Sequence, residues 1–202
     1  FQGNFPVVNP IPFSESGYRH CIVALGANLD SATGAPLHTL EVSLGLFQGE
    51  SLNVIAQSDW YETPAYPADA GGTFVNGCVH VQTTLTPRQV LVALHRIEAH
   101  LGRTRRDRWA ARAIDLDLIA MDDLVLPDPA QQDHWRALAP DRQARETPDQ
   151  LILPHPRLQD RSFVLYPMRD IVPDWVHPLT GQGLDAMIAA LPAHIRGEIT
   201  RI

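Results

Sequence analysis

The sequence predicts an α+β sandwich with a largely antiparallel sheet, and three observations carry that expectation. Apolar and polar residues alternate over 52–60, 75–82 and 114–120, apolar residues recur every three or four positions in several other stretches, and the two patterns mix without a strict strand–helix–strand rhythm.

The elements follow in order. Cys21 to Leu25 is a short apolar run ending at Gly26-Ala27-Asn28, which reads as a buried strand entering a loop. Pro36 suits a first helical position, and Leu37, Leu40, Leu44 and Phe47 then form one apolar stripe. From Leu52 to Trp60 the period changes to two, a strand. Pro64, Pro67, Gly71 and Gly72 mark a loop, after which Val75, Gly77, Val79 and Val81 alternate with polar or small neighbours in a strand able to pair antiparallel with the previous one.

Thr86-Pro87-Arg88-Gln89 has the form of a capping box, Val90, Leu94, Ile97 and Leu101 supply the stripe behind it, and Gly102 ends the helix. Ile114, Leu116, Leu118 and Ala120 alternate with Asp115, Asp117 and Ile119, and Asp122-Asp123 can turn the chain back. Residues 127–150 hold Pro127, Pro129, Pro140 and Pro148 and read as a surface insertion with some helix near Trp135. Helices are expected around 163–168 and 184–191, and an edge strand within 195–202. Residues 1–17 are expected to be a disordered tail whose Phe1-Gln2-Gly3 resembles a purification-tag remnant, and 18–202 a single domain.

Composition narrows the function. Hydrophobic residues make up 45% and charged residues 19%, and no apolar run is long enough to cross a bilayer, so a soluble, folded protein is expected, with a monomer as the default state and the two thiols below fitting the cytoplasm. The net charge of -7 argues against a nucleic-acid binder. All 16 basic residues are arginine, which excludes lysine Schiff-base chemistry and a Walker-type phosphate loop. Cys21 and Cys78 lack metal-type spacing and read as buried thiols.

Asp115-Leu116-Asp117 carries the most chemistry. A period of two sends both carboxylates to one face while Leu116 enters the core, with the aspartate Cα atoms roughly 7 Å apart. Such a pair is either a solvated strand face or a site for magnesium held together with substrate phosphates. Just before it, Arg103, Arg105, Arg106, Arg108 and Arg112 crowd five guanidinium groups into ten residues of an acidic chain. Guanidinium forks match phosphate oxygens, so arginines and metal together could clamp a triphosphate. A solvated basic loop is the plain alternative.

At this point the chain resembles the 6-hydroxymethyl-7,8-dihydropterin pyrophosphokinases. The resemblance spans roughly residues 20–180, through Ala24-Leu25-Gly26-Ala27-Asn28-Leu29, Tyr61-Glu62-Thr63-Pro64, Phe74-Val75-Asn76, the block from Arg96-Ile97-Glu98 to Asp115-Leu116-Asp117, Pro154-His155-Pro156-Arg157 and Arg161-Ser162-Phe163. It implies a three-layer α/β/α sandwich, ferredoxin-like, that moves pyrophosphate from ATP to the pterin hydroxymethyl group in folate biosynthesis. It further implies that Asp115 and Asp117 hold two magnesium ions and that Arg103 and Arg112 serve catalysis. Glu98, Arg105, Trp109, His155 and Arg161 would belong to the ATP side. Thr63, Pro64, Phe74, Asn76 and Phe163 would form the pterin pocket, the two rings sandwiching the flat ligand. The chain departs from the family at Ala110-Ala111, which bears on the rate of loop closure, and at Pro156 and in the long 127–150 segment, so adenine contacts near these last two are not carried over.

Two other readings share these residues. A magnesium phosphohydrolase would need no acceptor, whereas a polyanion-binding module would bind RNA in a salt-sensitive way and ignore ATP.

Overall fold

In the computed structural model, residues 17–64, 72–102 and 113–202 are described. The strands are β1 (Arg19–Ala27), β2 (Asn53–Gln57), β3 (Tyr61–Thr63), β4 (Phe74–Thr83), β5 (Asp115–Met121) and β6 (Thr200–Arg201). The helices are α1 (Pro36–Phe47), α2 (Pro87–His100), α3 (Pro129–Ala137), α4 (Pro140–Arg145), α5 (Ser162–Ile171), α6 (Leu184–Ala190) and α7 (Ala193–Gly197). They form one six-stranded antiparallel sheet in the order β5-β1-β4-β3-β6, with β2 also pairing β4.

Alternation along β1 and β4 splits the core into two halves. Cys21, Val23 and Leu25 of β1 with Val79 and Val81 of β4 pack against Leu40 and Phe47 of α1 and Val90, Leu94 and Ile97 of α2. Ile22, Ala24, Cys78 and Ile119 point the other way, onto Val164, Leu165 and Met168 of α5 and Leu184, Met187 and Ile188 of α6. The three-layer α/β/α arrangement follows, because a sheet with apolar residues on both faces must be covered on both. Both cysteines are free and fully buried, and burial pushes the Cys21 thiol up to about 12.

Local signals account for most boundaries. Thr86 Oγ1 accepts from Gln89 N while Gln89 Oε1 accepts from Thr86 N at 2.8 Å, the reciprocal capping box at the start of α2. The exposed Asn53, Ile55 and Gln57 of β2 leave Val54 and Ala56 half-buried, the alternation its sequence shows. Three features differ from expectation. The strand beginning at Leu52 stops at Gln57, and the chain starts a separate strand, β3, at Tyr61; at Ser58 the side-chain hydroxyl, in place of a backbone carbonyl, accepts Cys78 N at 2.9 Å, and the regular ladder breaks there. The helix expected near Trp135 is α3, with Asp128 capping it by accepting from Gln131 N at 2.9 Å, and the segment 127–150 adds a further helix, α4, beyond that expectation. The chain end is mostly the short helix α7, and its strand is reduced to Thr200–Arg201 on the edge of β3.

Candidate active site

β5 delivers the two aspartates. Leu116 is 3% exposed and pairs with Leu25 of β1, which fixes the strand's facing and turns Asp115 and Asp117 to the opposite side, beside Gly26 and Ala24. The carboxylate of Glu98, itself 1% exposed on α2, accepts Leu116 N at 2.8 Å, so a buried acid anchors the peptide lying between the two aspartates. This places Glu98 beneath the strand.

Above the aspartates lies a cationic wall. Arg161 Nη1 donates to Asp117 Oδ2 at 3.2 Å, and its guanidinium sits 5.6 Å from the Phe163 ring centre. Arg157 is half-buried close by; burial, then the charge of Arg161, lowers its pKa, and its Nε has no hydrogen-bond partner among the described residues. Two guanidiniums crowded in one cleft are stabilised by an anion between them. His155 donates its backbone N–H to Ile119 O at 2.7 Å, and its ring Nδ1 accepts from Arg157 N at 3.1 Å. Burial, reinforced by Arg161 and Arg157, holds the His155 imidazole well below its ordinary value. It is therefore neutral at pH 7, with its proton on Nε2.

The opposite wall is polar at its base and aromatic at its sides. Asn76, 4% exposed on β4, donates from Nδ2 to Thr63 Oγ1 at 3.0 Å and to Phe74 O at 3.4 Å. A carbonyl can only accept, so the nitrogen faces Phe74 O and the amide oxygen is left toward Gly26. A Cβ placed on Gly26 would lie 3.3 Å from that oxygen. Register puts Asn76, Gly26 and Asp115 in one cross-strand row, with the Cα atoms of Asn76 and Asp115 about 10 Å apart across two strand spacings.

These groups share one cleft of about 900 Å³. It brings together Asp115, Asp117, His155, Arg161, Thr63, Pro64, Phe74, Asn76 and Phe163 from the sequence-derived set. Glu98 is absent from its lining. Arg103, Arg105, Trp109 and Arg112 lie outside the described residues. The cleft also recruits residues that the sequence reading did not single out: Arg157, then Trp135, Gln143 and Glu146 from the 127–150 segment, and His194, Ile195 and Glu198 near the C-terminus. Arg157 was the most accessible of these to sequence reasoning, standing beside His155 in a motif already noticed. The others come from distant parts of the chain with no local signature.

A model of the family described as 7,8-dihydro-6-hydroxymethylpterin-pyrophosphokinase matches residues 22–173. This chain belongs to that family. The matched stretch runs from β1 to just past α5, so α6, α7 and β6, with their three cleft residues, lie beyond it. A 2-amino-4-hydroxy-6-hydroxymethyldihydropteridine pyrophosphokinase of Synechocystis is 34% identical over 185 residues, covering 90% of this chain and 80% of the relative. The enzyme of the same name from Pseudomonas aeruginosa is 34% identical over 172 residues, covering 84% and 90%. Among solved structures, wild-type HPPK-DHPS of Plasmodium falciparum is similar in fold, with a TM-score of 0.59 at 17% identity over 91% of this chain. The chain spans about half of that protein's length, 47%. The family likeness thus extends over both walls of the cleft and the sheet beneath it.

Proposed function

We propose that the chain transfers pyrophosphate from ATP to 6-hydroxymethyl-7,8-dihydropterin, releasing AMP and the pterin diphosphate, as a cytoplasmic step of folate biosynthesis. The observation that carries this reading is the cross-strand row in which Asn76 and Asp115 flank Gly26, because it sets an amide-reading aromatic pocket directly beside a carboxylate pair. A flat bicyclic ligand between Phe74 and Phe163, its donor edge on Asn76 Oδ1, would carry its hydroxymethyl arm toward β5.

The carboxylates fit magnesium. Asp115 and Asp117 offer hard oxygen donors on one face of the cleft, and Asp117 already binds a cation there, the Arg161 guanidinium. Two magnesium ions, when bound, would neutralise phosphate charge and acidify the pterin hydroxyl. The chain's own groups do the rest. Arg161 and Arg157, joined by Arg103, Arg105 and Arg112, hold the phosphate chain in line for attack of the pterin hydroxyl on the β-phosphorus. Neutral His155 offers its Nε2–H, and with Trp109 it contributes to the nucleotide side. Thr63 fixes the amide of Asn76, so the pocket discriminates by leaving that amide unpaired against a wrong edge. The chain acts as a monomer.

Calorimetry with a nonhydrolysable ATP analogue, magnesium and hydroxymethyl pterin tests both pockets. The pterin should bind tightly once nucleotide and magnesium are present, and Asp115→Ala or Asp117→Ala should abolish AMP formation with unchanged thermal stability. AMP or phosphate released at full rate without any pterin would instead identify a phosphohydrolase.

A further inference from the structure

A second pocket, of about 440 Å³, opens at the other end of the sheet, lined among others by His20, His80, Asp122, Asp123, Asp174 and Trp175. It shares strands with the catalytic cleft but lies far from it. On β1, His20 is six residues from Gly26, roughly 20 Å at strand rise. Nothing in the proposed transfer reaction uses these residues.

The two histidines are placed by register. His80 of β4 pairs with Ile22 of β1, and His20 pairs with Gln82, so the rings occupy diagonal positions on the same sheet face. Their centres are 5.1 Å apart, and His20 Nδ1 lies 3.1 Å from His80 Nε2. Two nitrogens aimed at each other at this distance can share one proton. Their separation also matches a chelate, which each ring reaches by turning its lone pair about 40° off the line between the nitrogens. Metal–imidazole bonds of about 2.0–2.1 Å meeting at angles between square and tetrahedral place the two nitrogens about 2.9–3.4 Å apart.

The surroundings favour a cation. Asp122, Asp123 and Asp174 line the pocket, and its lining contains no arginine. Asp122 is fixed in place, accepting His20 N at 2.8 Å and pairing with Arg19 at 3.4 Å. Burial, then the neighbouring His20, lowers the His80 pKa, which leaves that ring neutral with a lone pair available. Among the described residues no group of three or more His, Cys, Asp or Glu is assembled for an ion, and a metal held by the two imidazoles would take its remaining ligands from water. Nitrogen ligands select zinc or copper over magnesium, whose preference is for oxygen.

We propose that His20 and His80 bind one divalent transition ion of the zinc and copper class, clipping β1 to β4 at a site separate from the aspartate pair.

The test uses the full chain in millimolar magnesium, which competes with zinc at the aspartate pair. Zinc titrated by calorimetry should bind at one equivalent. His20→Gln and His80→Gln should each weaken that binding at least tenfold and leave magnesium-dependent turnover unchanged, whereas Asp117→Asn should leave zinc binding intact. With copper, electron paramagnetic resonance of the wild-type protein should show hyperfine splitting from two imidazole nitrogens, and this reading stands even if a variant fails to fold. Zinc binding that survives both histidine substitutions, or disappears with Asp117→Asn, overturns the proposal. So does a copper spectrum with oxygen donors alone, or the absence of zinc binding.

Discussion

Arg161 Nη1 rests 3.2 Å from Asp117 Oδ2, so a cation of the wall above β5 is paired with one acid of the Asp115–Asp117 pair. On the proposed function, bound nucleotide would draw Arg161 from the carboxylate to the phosphates while a metal ion takes its place at Asp117.

This exchange makes Arg161→Ala informative in two directions. A charge-assisted hydrogen bond to phosphate contributes about 1.5–3 kcal/mol, so the KM for ATP should rise at least tenfold. Manganese binding in the absence of nucleotide, followed by electron paramagnetic resonance, should tighten instead, because an internal competitor has gone. Weaker manganese binding in the variant would show that Arg161 does not stand in for the ion.

Glu98 should matter through Leu116. Its carboxylate accepts the Leu116 N–H from a fully buried position, and an unsatisfied buried amide costs about 1–3 kcal/mol. Glu98→Leu should lower the urea midpoint accordingly, speed exchange of the Leu116 amide hydrogen and reduce kcat. Glu98→Gln, which keeps an acceptor oxygen, should restore most of all three. Equal losses in the two variants would point to the charge of Glu98, and not to the anchored peptide.

Gly77 is required by Trp60. A Cβ on Gly77 would meet Cε3 and Cζ3 of the indole at 2.7 Å, inside any tolerable contact. Gly77→Ala should therefore cost about 1–3 kcal/mol and shift Trp60 fluorescence as the ring moves. Because Tyr61 follows directly and pairs with Asn76, pterin affinity should fall as well. An unchanged unfolding midpoint would mean that the ring yields freely.

His177 should contribute to the acid limb of stability. His177 is 1% exposed; burial first, then the charge of Arg136, lowers its pKa, while its Nδ1 accepts from Leu179 N at 3.2 Å. A depressed folded pKa means that the unfolded chain takes up the proton first. Stability should thus be level above the unfolded value of about 6.5 and decline as pH falls below it, by up to about 1.4 kcal/mol per pH unit for this one group. His177→Asn, which keeps an acceptor oxygen, should flatten that decline by one proton in urea titrations between pH 7 and 5. An identical slope would assign the proton to other groups.

The sequence by itself determined the parts whose causes are local. Alternation at 114–120 placed Asp115 and Asp117 on one face, Thr86 and Gln89 closed the capping box of α2, and the ordered motifs from Gly26 to Phe163 marked both walls of the cleft, because period, capping chemistry and motif spacing act over a few residues. The tertiary structure alone decided what depends on register and packing between distant segments. It set Asn76, Gly26 and Asp115 in one row, turned the carboxylate of Glu98 inward onto Leu116, gave Arg161 to Asp117, folded α3 and the C-terminal helix against the cleft, and brought His20 to His80. Strand register and the docking of one layer on another are long-range choices fixed by total burial, and no single window of residues encodes them.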